Sequence, residues 1–70
     1  MQALTQAKPG ETYTIKWLIA GHEIMEYLEA MNMTEGEEIY LLCGGKDSVI
    51  VINHGHKYAM SADVAFRIKV

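Results

Sequence analysis

The chain has 70 residues, half of them hydrophobic and 21% charged, with Lys+Arg 6 against Asp+Glu 9 and a formal net charge of -3. That is one small domain over residues 1–70, too apolar for intrinsic disorder and too interrupted by charge for a membrane span, so direct membrane insertion is excluded. The acidic balance leaves no basic stripe for a phosphate backbone, and nucleic acid is not an expected partner.

Cys43 is the single cysteine, which rules out an internal disulfide and the multi-cysteine zinc motifs. The opening MQALTQAKPG lacks the basic-then-apolar order of a signal peptide, so a reduced, cytoplasmic protein is expected.

Taken in order, Met1 to Lys8 offers only Leu4 as an anchor, and Pro9-Gly10 marks a turn at which order is expected to begin. TYTIKWLI, residues 12–19, is rich in β-branched and aromatic residues and reads as a first strand. Strict alternation would put Tyr13, Ile15, Trp17 and Ile19 on one face; a bulge near Lys16-Trp17 would instead turn Leu18 inward and Trp17 out.

The stretch from Gly21 to Gly36 holds the one helical periodicity. Ile24, Met25, Leu28 and Met31 fall three and four residues apart and stack as an apolar stripe, while Glu23, Glu26 and Glu29 occupy the opposite, solvated face. Asn32 tolerates a left-handed backbone and so ends the helix, which lets Met33 fold back onto the last turn. Thr34-Glu35-Gly36 is then a turn into the next strand.

That strand is EEIYLLC, residues 37–43, followed by a hairpin loop from Gly44 to Ser48 and a third strand, VIVI, residues 49–52. Asn53-His54-Gly55-His56 forms a tight turn, Asn and Gly being the residues that accept positive φ. A short fourth strand covers residues 57–60, Ser61 caps one helical turn through Ala65, and FRIKV, residues 66–70, alternates with Phe66, Ile68 and Val70 on one face. The fold expected is mainly β: a small SH3-like β-barrel of about five strands with one inserted amphipathic helix.

The order and intervals of these pieces resemble the FeoA (ferrous iron transport protein A) family over nearly the whole chain. The resemblance rests on Lys8-Pro9-Gly10-Glu11, on Ile15 and Leu18, on Met31-Asn32-Met33, on Glu35-Gly36 before Ile39, on Gly55 followed by Ala59-Met60-Ser61, and on Ala65, Ile68 and Val70. The family usually has Gly at the position of Asn32 and Pro at that of Glu35; both substitutions keep turn chemistry. Its helix is often basic, whereas this one is acidic, so no partner surface carries over by charge. The resemblance implies a cytoplasmic accessory of bacterial ferrous iron uptake that contacts the GTP-binding portion of the membrane permease FeoB. It also bears on the similar C-terminal domain of metal-dependent repressors, but the chain has neither a helix-turn-helix portion nor basic charge.

Motifs for chemistry are sparse. His54 and His56 alternate as metal ligands on a strand would, but Gly55 between them puts them in a turn, where face-sharing fails. Cys43 has no base or cation nearby in sequence and reads as a small buried residue at a strand end. The glutamate row is a solvated helix surface, and Gly44-Gly45-Lys46 precedes a strand rather than a helix, so it is no phosphate loop. Catalytic residues, metal ligands and cofactors are therefore not assigned, and no enzyme is expected.

Two readings of a binding surface remain. Trp17 with the tyrosines could line a peptide-accepting groove, the feature of a free-standing SH3-like module unrelated to iron. The residues 39–42 and 49–52 are apolar on both faces of a hairpin. With a five-residue loop Cys43 faces Val49 and Leu41 faces Val51, and the resemblance implies that Ile39, Leu41, Val49 and Val51 form the interior; a four-residue loop would reverse the membership of one strand. With that interior Tyr40, Leu42, Ile50 and Ile52 point outward as an interaction patch for FeoB or for self-association, unless the helix lies across them.

Overall fold

The computed structural model describes residues 1–70. Strand β1 is Thr12–Thr14, β2 is Trp17–Leu18, helix α1 is His22–Ala30, β3 is Glu38–Gly44 and β4 is Ser48–Asn53. They are followed by β5 at His56–Ser61, helix α2 at Ala62–Ala65 and β6 at Ile68–Lys69. The strands form an antiparallel sheet in the order β1-β3-β4-β5 and a second, two-stranded antiparallel sheet of β2 and β6. The result is a mainly β, SH3-like fold, in which the first strand expected from sequence is bent at residues 15 and 16 and serves both sheets. Ile15 is buried at the bend, donating to the Glu37 carbonyl and accepting from Gly36 N–H, both at 2.8 Å. Beyond it Leu18 faces the core and Trp17 faces solvent, the exchange that a bulge there would make.

One core joins the two sheets. Ile39, Leu41, Val49 and Val51 from the larger sheet pack in one cluster with Leu18, Ile68, Val70, Leu28, Met31, Met33, Met60 and Ala65. Ile24 and Met25 pack against that cluster, so the apolar stripe of α1 faces the sheet interior and Glu23, Glu26 and Glu29 stay exposed.

The helix ends as its sequence dictates. Asn32 adopts φ 58, its N–H donates to Glu29 O at 3.0 Å, and the N–H of Met33 reaches back to Leu28 O at 2.9 Å. This is the Schellman pattern, and the buried Met33 and Leu28 supply the apolar contact that accompanies it. The β4–β5 turn is equally local: His54 and Gly55 have φ 51 and 78, the left-handed pair that matches a two-residue hairpin to strand twist.

Four expectations are corrected. The N-terminus is ordered well before Pro9. Leu4–Gln6 makes a short 3-10 turn, Gln2 and Val70 exchange backbone bonds of 2.9 and 2.8 Å, and Ala3, Leu4 and Ala7 are all buried. Small residues such as alanine carry little hydrophobic signal, and the pairing partner is at the other end of the chain.

The second correction concerns the hairpin register. Leu41 does oppose Val51 and Tyr40 opposes Ile52, but Cys43 opposes Ile50 and Gly44 opposes Val49, with a bulge between Leu41 and Cys43. The loop is correspondingly shorter, closed by Gly45 N–H to Ser48 O at 2.8 Å. The extra residue in β3 keeps the inward set of both strands in place, as a bulge allows.

The third follows from the second: Cys43 is exposed, not buried. Leu42 and Cys43 share the bulge and both lie outside the core.

Last, Phe66 is not the start of a strand. It is the C-terminal cap of α2 with helical φ and ψ and is among the exposed large hydrophobic residues. Ser61 does cap this helix, its Oγ accepting from Val64 N–H at 3.2 Å, and the turn it starts runs one residue further than the alternation of FRIKV indicated.

Candidate functional site

The outer face of the larger sheet is built in rows across the strands. Thr12, Tyr40, Ile52 and Lys57 are successive cross-strand partners, and Cys43, Ile50 and Ala59 form the next row. Tyr40, Ile50 and Ile52 are half-buried by these neighbours and Leu42 is exposed. Since α1 presents its apolar stripe to the core cluster that holds Leu41 and Val51, the apolar side chains on the opposite side of those strands carry no helix stripe of their own. Trp17, the residue of the other binding-surface reading, lies on the two-stranded sheet, opposite Lys69.

The residues weighed for chemistry are dispersed. His54 Nε2 lies 2.6 Å from Glu37 Oε1, whereas the His56 ring is tilted against Tyr58 with centroids 6.2 Å apart. His22 pairs with Glu26 one turn along α1 at 3.0 Å. No group of three or more His, Cys, Asp or Glu side chains gathers where an ion could be held.

Sequence reasoning missed Asn53. Its side chain is buried, and Nδ2 donates to Met31 O at 2.8 Å and Asn32 O at 3.1 Å, satisfying carbonyls that the end of α1 leaves open. In sequence it reads only as a turn residue, because its partner lies far away along the chain.

The model of the FeoA domain matches residues 2–70. The chain belongs to the FeoA family. Its fold is similar to that of an iron uptake regulatory protein, FeoA, with a TM-score of 0.86 at 24% identity over 94% of this chain and 89% of that one. It is similar as well to an iron(II) transport protein A from Clostridium thermocellum, with a TM-score of 0.87 at 24% identity over 97% of this chain and 43% of that one. A manganese-dependent transcriptional repressor shares the fold with a TM-score of 0.87 at 14% identity, 96% of this chain covering 39% of the repressor. The FeoA-family chain thus spans less than half the length of these last two proteins, and at such identities the likeness is one of fold. No curated protein matches it. The likeness to part of a repressor is the likeness of fold that the sequence reading expected. None of its helices is long and apolar enough to cross a membrane.

Proposed function

We propose that this FeoA-family chain is a non-enzymatic, cytoplasmic accessory of bacterial ferrous iron uptake that acts by direct contact with the GTP-binding portion of the permease FeoB. The observation that carries the reading is the family match over residues 2–70. Support for a contact role comes from the sheet face of Tyr40, Leu42, Ile50 and Ile52, where large apolar side chains sit outside the core on the β3–β4 hairpin. A partner covering them would remove apolar surface at roughly 25 cal/mol per Å2, the ordinary driving force for association. The bulge helps, because it adds Cys43, which strict alternation would turn inward, to the outside of the same strand beside Leu42.

Co-purification tests this reading. The tagged chain, expressed beside the FeoB of the same genome, should retain FeoB from detergent-solubilised membranes in at least one nucleotide state. Absence of FeoB in every state would leave the fold intact and remove the function.

A further inference from the structure

The outer face of β2 and β6 gathers a second set of side chains, independent of the sheet face above. Trp17 stands opposite Lys69, and Ile19 N–H donates to Arg67 O at 3.0 Å, which continues the pairing by one step. Trp17 and Ile19 therefore share one side with Lys69 and Arg67, while Leu18 and Ile68 point to the core. Phe66 joins them at the end of α2. Trp17, Ile19 and Phe66 are 51%, 46% and 56% exposed. Ile19, Phe66, Arg67, Lys69 and Asp63 line a cleft of about 250 Å3.

The cations of this cleft are held without being used up. Lys69 Nζ rests 4.1 Å from the centre of the Phe66 ring and donates to Phe66 O at 2.9 Å, which leaves further donors of its ammonium group unspent. Arg67 Nε is buried with no acceptor, and its terminal nitrogen is 4.0 Å from Asp63, a largely exposed carboxylate. A pair so long and so open to water contributes little. An apolar wall with two positive heads complements a carboxylate carried next to a large apolar side chain, since Arg binds carboxylates through its paired terminal N–H groups and Lys69 already packs on the Phe66 ring.

We propose that this cleft is a docking site for an acidic, hydrophobic peptide segment of a protein partner, in which Asp or Glu alternates with Phe or Leu. Arg67 and Lys69 take the carboxylates, and Trp17, Ile19 and Phe66 take the apolar side chains. The site is separate from the hairpin face and stands or falls apart from the FeoB reading.

Fluorescence anisotropy with a labelled synthetic peptide of alternating Glu, Phe and Leu tests it, against a counterpart with Lys in place of Glu. The intact chain should bind the acidic peptide at least about tenfold more tightly than the basic one, as expected when charge-assisted bonds are replaced by like-charge repulsion. Arg67→Gln with Lys69→Gln should lose about the same factor, and added salt should weaken binding. Far-UV circular dichroism checks that the variant is folded, and the comparison of the two peptides needs no variant at all. Equal binding of both peptides, or binding of neither, overturns the proposal. So does attachment to phosphatidylglycerol vesicles without peptide binding, which would make the face a lipid contact, or a concentration-dependent dimer abolished by Phe66→Ala, which would make it a contact between copies.

Discussion

The amide of Asn53 is hydrogen-bonded to the carbonyls of both Met31 and Asn32, so the end of the β4 strand closes the end of the helix. A helix exposes its last carbonyls; the bond to Met31 O is buried and the one to Asn32 O is partly buried. Both acceptors are carbonyls, so only the amide nitrogen can meet them.

Replacing Asn53 should therefore cost more than a surface turn residue would. Asn53→Ala leaves two acceptors short of a donor and should lower stability by about 1–3 kcal/mol, as stranding a buried polar group does. Asn53→Asp should be worse than Ala, because a carboxylate would face two carbonyl oxygens. Urea unfolding of the three proteins gives the order directly; an Asp variant as stable as the parent would contradict the assignment.

Asn32 presents the complementary case, a backbone rather than a side-chain requirement. At φ 58 a residue with an ordinary side chain is strained by about 1–2 kcal/mol, and Gly is not. Asn32→Ala should destabilise by roughly 1 kcal/mol, while Asn32→Gly should stay within about 0.5 kcal/mol of the parent. A glycine variant less stable than the alanine one would show that Asn32 acts through its side chain.

The N-terminal segment makes a sharper test. Leu4 is fully buried in the core cluster, and Leu→Ala at such a site costs about 2–5 kcal/mol. A domain of this size holds only about 4–10 kcal/mol in total. Leu4→Ala should lower the melting temperature by about 10 °C or more, given about 4–8 °C per kcal/mol. A melting temperature within a few degrees of the parent would mean that the segment is dispensable.

These positions also mark what sequence can and cannot carry. The helix, its left-handed Asn32 end, the His54-Gly55 turn and the Ser61 cap were legible because each depends on residues a few places apart. The inward set Ile39, Leu41, Val49 and Val51 was legible because alternation and family spacing agree. The bulge at Leu42 and Cys43 was not, since an all-apolar strand pair reads the same in two registers. Nor was the burial of Ala3 and Ala7 or the role of Asn53, which depend on partners at the far end of the chain or across the fold. For Trp17 the sequence left two sides open, and the bend after Thr14 that turns it outward and pairs it with Lys69 depends on β6 at the other end of the chain.

The bulge itself bears on the interaction surface. Because Leu42 is exposed while Tyr40, Ile50 and Ile52 are half-buried, Leu42→Ser should change stability by less than about 1 kcal/mol, as exposed substitutions usually do. If the hairpin face is the contact surface, the same change should weaken partner binding. Thermal melts and binding titrations of one variant separate the two effects. A Leu42→Ser protein that melts much earlier would show the side chain to be structural.

The proposal that reaches furthest is contact between this FeoA-family chain and FeoB through the hairpin face. Isothermal titration of the chain into the soluble GTP-binding portion of its own FeoB, beside an Ile50→Thr, Ile52→Thr variant shown to be folded, measures that contact most directly. The account predicts a saturable isotherm for the parent and at least about a tenfold weaker one for the variant, as loss of two apolar contacts implies. Undiminished binding by the folded variant, or no heat and no complex with the parent in any nucleotide state, would contradict it.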